Sequence, residues 1–370
     1  MAGTASPVST LTVATDRPAP RGAQPAPANA LPALYVVGGQ QRSSRPLFAA
    51  DDHWYDYQQG VVLRVDLATG DTETCVRYRS QPGAHAEGDP ILFKSGTVAN
   101  GRLYACTQTE VLEYRLPDFA LLNYVSLPCF NDVHHVRPTP AGNYLIANSG
   151  LEMVLEVRPD GEVVREWNVL GEAPWGRYSR ETDYRRGVNL KPHQAHPNNV
   201  FYAGGEIWVT RFEKRDVLCL TRPERRIEVG LERIHDGVVQ GERLYLTTVN
   251  GHLIVADLVS LRVEHTIDLN ALHPDHTLLG WCRGLLLDGR TAWVGFSRIR
   301  PTKFREAVSW VRQGFSRALP THIAAYDLER PACLAEFNVE VHGLDAVFSL
   351  HPAEARPTAD QVSVNHAIEA

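Results

Sequence analysis

Histidine, aspartate and arginine residues recur in short segments that each introduce an apolar run, and six of the fifteen histidines fall there. Three or four neutral imidazoles around one centre bind zinc, iron or copper at about 2.0–2.1 Å. These residue types therefore predict a divalent metal site, provided that the fold brings the segments together. The residues concerned are Glu87 and Asp89 in EGDPILF, His134 and His135 in NDVHHV, His193 and His196 in KPHQAHPNNV, His235 and Asp236 in RIHDGVV, Arg283 in GWCRGLLL, and His342 and Asp345 in VHGLDAVFSL.

The elements that must position these residues are short strands in a repeating unit. Alternating runs joined by turn residues, as in VLRVDLATGDTETCVRY (62–78) or VLEVRPDGEVVREWNV (154–169), predict β-hairpins. Similar pairs occupy 111–127 and 253–269. Four strands per unit, at a period of roughly 40 to 50 residues, indicate the blades of a β-propeller.

Six units are predicted, and the first strand of each is expected to begin at one of the polar segments. The last such strand, AVFSL, has no partners after it, whereas the N-terminal runs from ALYVVGG (33–39) lack a first strand. Pairing these ends closes an all-β, six-bladed propeller without exposed sheet edges. An open sandwich of irregular repeats is the alternative. The predicted starts lie near Asp89, Asp132, His196, His235, Trp281 and Asp345.

Because the innermost strands line the channel of a propeller, the polar residues at their starts are expected to converge. Neighbouring His134 and His135 must point to opposite faces, so only one of them reaches the channel. The hypothesis is a metal bound by His134 or His135 with His196 and His235, and with His342 as a fourth ligand. Arg283 would hold an acidic group of a small-molecule substrate. Carboxylates that orient the histidines are Asp89, Asp236 and Asp345.

Two other interpretations of the same residues stay open. Without a metal, one histidine acts as a general base or nucleophile while Asp89 or Asp236 orients it and Arg283 clamps an anion. Alternatively, the aspartates and histidines satisfy backbone donors at strand starts, and the propeller binds a ligand or a protein without catalysis. The metal-site hypothesis, by contrast, favours an enzyme with metal-dependent lyase- or oxygenase-type chemistry.

Three long segments between strands should emerge on the face where the innermost strands begin, because strands in a blade alternate in direction. They are Gln40–Gly60, Leu170–Ala195 and Arg298–Thr321. Long loops are uncommon unless they are functional or disordered, and these are rich in aromatic residues, so we expect them to cap the channel. In the third segment, the spacing of Phe304, Val308, Val311 and Phe315 predicts a short amphipathic helix.

Composition narrows the partners. The 37 lysines and arginines against 43 aspartates and glutamates give a net charge of −6, so nucleic acid is an unexpected partner. The sequence contains no run of about eighteen uncharged apolar residues, so no membrane-spanning helix is predicted. The six cysteines lack any CxxC pair, which favours free thiols in a cytoplasmic protein. Residues 1–30 and 352–370 are expected to be polar tails that flank a single domain at 31–351.

Three segments carry a resemblance to a known family. AHPNNVFYAGGEIWVTRF (195–212), IHDGVVQGERLYLTTVNGHLIVADL (234–258) and CRGLLLDGRTAWVGFSRIR (282–300) are similar to a bacterial propeller family of unknown function. Its members similarly carry a His-x-Asn motif, a His-containing strand and an RGL…VGxSRxR stretch. This resemblance implies the propeller fold and leaves the activity open.

A more remote resemblance involves HHVRPTPAGNYLIANSGLEMVLEVRPDGEVVREW (134–167), which is similar to bacterial arylsulfotransferases. Those six-bladed propellers hold histidines and an arginine in the channel and move a sulfuryl group through a histidine. The resemblance implies that His135 or His196 carries the group and that Arg283 clamps the anion. It provides the metal-free alternative with a specific reaction.

Overall fold

A computed structural model describes residues 31–42, 56–187, 190–274, 277–299 and 317–354. The predicted N-terminal tail, the predicted C-terminal tail beyond residue 354 and the predicted helix around Phe304 lie outside the described residues, as does most of the Gln40–Gly60 segment. The described residues belong to one compact unit that begins at Leu31. Within them, no helix is both long and apolar enough to cross a membrane.

The described chain consists of β-strands with three 3-10 turns, at Ser149–Leu151, Asn270–Leu272 and Glu340–His342. In chain order, the strands are β1 (Ala33–Gln41), β2 (Tyr57–Asp66), β3 (Thr72–Tyr78), β4 (Thr97–Ala99), β5 (Arg102–Cys106), β6 (Val111–Arg115), β7 (Leu121–Val125), β8 (Val133–Pro138), β9 (Tyr144–Asn148), β10 (Met153–Val157), β11 (Val163–Asn168), β12 (Pro197–Ala203), β13 (Glu206–Arg211), β14 (Asp216–Cys219), β15 (Arg226–Glu228), β16 (Ile234–Gln240), β17 (Arg243–Thr248), β18 (His252–Asp257), β19 (Arg262–Asp268), β20 (Thr277–Leu278), β21 (Trp281–Asp288), β22 (Thr291–Ser297), β23 (Arg317–Ala318), β24 (His322–Asp327), β25 (Ala332–Asn338) and β26 (Ala346–Ala353).

Six antiparallel four-stranded sheets form the blades of the predicted propeller. Blade 1 has the order β26-β1-β2-β3, blades 2 to 5 are β4–β7, β8–β11, β12–β15 and β16–β19, and blade 6 is β21-β22-β24-β25. The first strand of each blade, called its inner strand below, contacts the inner strands of both neighbouring blades, so the ring closes. The prediction of a closed six-bladed propeller is confirmed.

Closure depends on the last strand, as predicted. Strand β26 pairs antiparallel with β1, from Ala33 opposite Ala353 to Gly39 opposite Ala346. This pairing runs to Ala353, two residues beyond the predicted domain end at 351. It supplies blade 1 with the inner strand that the N-terminal sequence lacks, and it covers an edge that would otherwise be open to association.

The hydrophobic core is divided among the junctions between blades. On β1, Leu34 and Val36 pack against blade 6, whereas Tyr35 and Val37 pack against blade 2. Middle strands are therefore buried on both faces, which is why they are continuous apolar runs. Outer strands alternate instead, as β25 does, because one of their faces meets solvent. Each of the six junctions holds its own cluster of apolar side chains.

The inner strand of blade 2 begins at Thr97 rather than near Asp89, so that predicted start is wrong. Between Ile91 and Ser95, the backbone N–H groups bond to changing partners. Ile91 donates to Tyr57 and Phe93 to Gly38 in blade 1, after which Lys94 donates to Cys106 in blade 2. The segment crosses between two blades instead of joining one ladder. The other five starts lie within one residue of their predicted positions.

Candidate functional site

Four of the polar residues meet where blades 3 and 4 begin, and we call them the His–Asp cluster: Asp132, His134, His193 and His196. Asp132 and His196 each precede an inner strand and have positive φ, 50° and 55°. Non-glycine residues adopt this conformation at a cost and persist in it where the surroundings impose it, commonly at functional sites. Each of the two side chains is thereby directed into the cluster.

Short contacts link the three histidines. The Nε2 atoms of His134 and His196 are 3.2 Å apart, and the Nδ1 atoms of His193 and His196 are 2.5 Å apart. The Nδ1 atom of His134 lies 2.7 Å from the carbonyl oxygen of Asp132, to which a neutral His134 must donate. Burial is the main reason that the pKa values of all three imidazoles are lowered, so neutral rings are favoured.

A buried lysine completes the cluster's surroundings. Lys94 is only 1% exposed, and its Nζ lies 2.5 Å from Oδ1 of Asp132 and 3.3 Å from Nε2 of His134. Burial alone would raise the pKa of Asp132, but the ammonium groups of Lys94 and Lys191 oppose that effect, and the pKa lies well below its usual value. The second carboxylate oxygen, Oδ2, is buried and has no hydrogen-bond partner among the described residues.

A carboxylate fixes the loop that carries two of the histidines. Glu152, 1% exposed, accepts hydrogen bonds from the backbone N–H groups of Gln194, Ala195 and His196. Three N–H donors that point at one carboxylate hold the backbone in a single arrangement. The side chains of His193 and His196 therefore start from a fixed base.

The cluster borders a pocket of about 250 Å³. Two cluster residues, Asp132 and His193, line it together with Asp89, Arg185 and Lys191. Burial raises the pKa of Asp89. The remaining lining residues are Pro90, Gln108, Thr109, Asn131, Tyr184, Gly187 and Leu190. Much of this wall comes from Leu170–Ala195, the one long segment that is largely described.

That segment packs against the ring through its aromatic residues. Tyr184 is buried, its backbone N–H donates to Pro128, and its carbonyl oxygen accepts from the side chain of Asn131. Trp175 and Tyr178 pack against the same apolar cluster between blades 2 and 3. The segment lies at the end of the ring where inner strands begin, as expected, and its described part covers one side of the pocket.

His135, predicted with His134 as alternative ligands, faces away from the cluster. Its Nε2 lies 3.2 Å from the carbonyl oxygen of Gly96, and its Nδ1 accepts the backbone N–H of Val200 at 3.2 Å. Both ring nitrogens are thus engaged between blades, and burial lowers its pKa to about 3. This is the structural role that the sequence analysis left open, and it leaves no free lone pair for a metal or a transferred group.

His235 is also separate from the cluster. Its Nε2 accepts a hydrogen bond from Trp281 at 3.1 Å, its Nδ1 lies 2.8 Å from Nδ2 of Asn198, and the residue is 6% exposed. The ring of Phe212 lies between it and His196, with centroid distances of 5.0 and 5.1 Å. His342 is exposed on the 3-10 turn Glu340–His342. Of the histidines predicted as ligands, the structure therefore brings His134 and His196 together, and it groups them with His193 and Asp132.

The predicted charged residues mostly brace neighbouring strands. Asp236 accepts from Thr247 at 2.5 Å and from the N–H of Gly284 at 3.1 Å, which ties blade 5 to blade 6. Asp345 accepts from the N–H of Gln41 at 2.8 Å. The guanidinium of Arg283 lies over the ring of Phe348 at 4.1 Å. Of the predicted acidic residues, Asp89 alone lines the pocket.

β-Bulges near the starts of the inner strands explain why strict alternation along the sequence does not predict the direction of these side chains. In blade 3, Val133 and His135 pair with adjacent residues of β9, so His134 is an extra residue. Extra residues also occur at Asn198 in blade 4 and at Gly284 in blade 6. A bulge breaks strict alternation and re-aims the side chain. Here it turns His134 into the cluster.

Comparison with known proteins supports the fold. No family model and no curated protein sequence matches the chain. Among solved structures, it is similar to a protein of unknown function from Bacteroides caccae, with 14% identity over 88% of this chain and 100% of that one and a TM-score of 0.56. This agrees with the resemblance to a bacterial propeller family of unknown function. At this identity, only the fold follows from the similarity.

Two further structures align less well. One is a mitotic checkpoint complex, with 6% identity over 75% of this chain and 74% of that chain and a TM-score of 0.43. The other is virginiamycin B lyase from Staphylococcus aureus, with 8% identity over 76% and 78% and a TM-score of 0.42. Neither carries an argument about activity, which must come from the chemistry of the site.

Proposed function

We propose that this protein is a metal-dependent enzyme in which Asp132, His193 and His196 bind a divalent ion beside the pocket. The observation that carries the proposal is that one ligand atom from each of these residues lies within 4.8 Å of the others. Two imidazoles and a carboxylate are a donor set of non-haem iron and of catalytic zinc, and copper also accepts imidazole.

The electrostatics of the cluster suit a cation. The imidazoles are held neutral by burial, as ligands must be, and Asp132 is held ionised. Lys94 bonds Oδ1 of Asp132, while the buried Oδ2 has no partner among the residues described and is available as a ligand. A cation at Oδ2 would remove the cost of leaving that atom buried and unbonded.

The proposed metal site is open to the pocket on one side, which favours a catalytic metal over a structural one. Asp132 and His193 line the pocket, so a substrate there meets the ligands directly. A divalent metal with open positions supplies Lewis acidity or an activated water. Asp89 lines the same pocket, and its raised pKa suits it to exchange a proton with the substrate. Lys94 holds Asp132 in orientation, and Glu152 does the same for the histidine loop.

A second candidate is metal-free, and it is supported by the hydrogen-bond directions that follow when all three histidines are neutral. Because His134 donates through Nδ1, its Nε2 accepts, and His196 donates to it from Nε2. Nδ1 of His196 then accepts from Nδ1 of His193. This order leaves Nε2 of His193 with a lone pair, as a general base beside the pocket.

Metal analysis separates the two candidates. Untagged protein is purified, and bound metals are quantified by mass spectrometry for the wild type and for His193→Ala, His196→Ala and Asp132→Asn. His342→Ala is the matched control, because it removes a sequence-predicted ligand that lies exposed on a 3-10 turn. We expect one metal per chain in the wild type and control, and loss in the other three. A metal-free wild type that resists loading with iron, zinc or copper would overturn the proposal in favour of the general base.

A further inference from the structure

The pocket beside the His–Asp cluster has a size and a charge that define a substrate class. We infer that its substrate is a small organic anion of about eight non-hydrogen atoms that carries a carboxylate or a similar oxyanion. This inference rests on the proposed function, because the metal contributes to the charge of the site.

The volume of the pocket indicates the size of the ligand. At about 30 Å³ for each water molecule, the pocket of about 250 Å³ corresponds to roughly eight waters, and so to a ligand of about eight non-hydrogen atoms. Drug-sized ligands need about 300–1,000 Å³. A compact molecule therefore fits inside this pocket, whereas a substrate with several rings would have to extend out of its open side.

The charged side chains around the pocket indicate the sign of the ligand's charge. Arg185 and Lys191 line the pocket from the same loop, and Lys94 stands behind Asp132. With a divalent metal and Arg186, which pairs with Asp183, these side chains bring the positive charge to six. Four carboxylates oppose it, which leaves an excess of two: Asp89, Asp132, Glu152 and Asp183. In a half-buried site with reduced dielectric screening, that excess favours an anion and disfavours a cation.

One of the two cations is held in a fixed orientation. Nε of Arg185 donates to Oδ1 of Asp183 at 2.8 Å, and Nη2 donates to Oδ2 at 2.9 Å, while Nη1 reaches Ser126. The hydrogen bond from Arg185 is the main reason that the pKa of Asp183 is lowered to about 2. Nη2 keeps a second N–H for an acceptor, and guanidinium donors suit oxyanions.

Lys191 offers the complementary contact. It lies two residues before His193 in the chain and lines the pocket with it. An ammonium is a compact point charge with three rotatable donors, so it can follow an oxyanion as the ligand adjusts. We expect Arg185 to orient the anion and Lys191 to strengthen its binding.

Binding of succinate tests the inference, since succinate has eight non-hydrogen atoms. Affinity is measured by calorimetry on metal-loaded protein against uncharged succinamide, cationic 1,4-diaminobutane and inorganic phosphate. Metal content is determined in the same samples. We expect succinate to bind and the amide and diamine not to bind at the same concentrations. Phosphate binding as tight as succinate binding would assign the site to phosphate-bearing substrates within the same anionic class.

The variant pair Lys191→Met and Lys214→Met makes the test specific. Lys214 is exposed and does not line the pocket, so it controls for the loss of one lysine charge. We expect Lys191→Met to weaken succinate binding about tenfold with unchanged metal content, and Lys214→Met to leave it unchanged. Metal-loaded protein that ignores succinate and phosphate, or prefers the diamine, overturns this inference alone. A protein that binds no metal overturns the proposed function, and Lys191-dependent succinate binding would then support the anion site by itself.

Discussion

Nε2 of His196 lies 3.2 Å from Nε2 of His134, although 62 residues separate them in the chain. Each histidine lies at the start of an inner strand, one in blade 3 and one in blade 4. The contact exists because neighbouring inner strands run side by side around the channel. A site assembled in this way depends on the docking of blades rather than on any one of them.

The Lys94–Asp132 ion pair should be strongly coupled. Asp132→Asn removes the counter-charge of a lysine that is 1% exposed, and breaking such a buried pair costs about 3–5 kcal/mol. Lys94→Met combined with Asp132→Asn removes both charges and should restore much of that loss. Urea unfolding of the wild type, both single variants and the double variant measures the coupling. Additive effects of the two changes would contradict it.

Glu152 should control metal affinity without being a ligand. Glu152→Ala frees the N–H groups of Gln194, Ala195 and His196, so the histidine loop loses its anchor. Partners that orient ligands typically contribute 10- to 100-fold in metal affinity. We expect a loss in that range by competition with a chelator, with partial recovery in Glu152→Gln, which keeps one acceptor oxygen. An unchanged affinity in Glu152→Ala would show that the loop is positioned by other contacts.

Asp236 should make the free energy of unfolding fall as the pH rises from about 4 to 7. Burial raises its pKa from an ordinary 3.8 to about 6 in the folded protein. A raised folded-state pKa means that protonation favours the fold. The associated stability is complete below about pH 4 and is lost as the pH rises through 6.

The loss amounts to about 3 kcal/mol at about 1.4 kcal/mol per pKa unit. Asp236→Asn should remove this dependence. The unfolding free energy of the variant, relative to that of the wild type, should therefore increase between pH 4 and pH 7. Glu87→Gln, which removes an exposed carboxylate, is the control. Parallel pH profiles for Asp236→Asn and the wild type would contradict the prediction.

Gly38 should be essential for closure of the ring. A Cβ at this position would collide with the carbonyl oxygen of Ala346 on the closing strand β26. Because backbone atoms cannot give way as a flexible side chain does, Gly38→Ala should cost about 3 kcal/mol. Gly176→Ala, where the nearest atom is at 3.3 Å, should cost far less. Thermal unfolding of both variants measures the difference, and equal melting temperatures would refute the steric argument.

Most of the fold was predictable from the sequence because its signals are local. Asp-Gly and Thr-Gly-Asp turns between alternating runs define hairpins such as β2–β3 and β10–β11, both of which pair as expected. The unpaired run at the C-terminus identified β26 as the closing strand. The inner strand of blade 2 was misplaced because an apolar run, DPILF, has the composition of a strand while its hydrogen bonds cross between blades.

The candidate site was only partly predictable. Polar residues at strand starts led to His134, His196 and Asp89, but alternation could not choose between His134 and His135, because a bulge decides it. His193 lies in one of the polar segments, but the predicted ligand set does not include it. Lys94 was missed because a lysine within ILFK resembles the polar end of a strand. Its burial against Asp132 depends on contacts 38 residues apart.

The closing pair β1 and β26 belongs to blade 1, whereas the His–Asp cluster lies in the third blade and on its links to the second and fourth blades. The β1–β26 pairing, which joins the two ends of the described fold, is thus separated from the His–Asp cluster by blade 2. Tags, fusion partners or linkers attached outside residues 31–354 would meet the ring at blade 1. A circular permutant that joins these ends and opens a turn between outer strands of blade 5 should therefore keep the site intact.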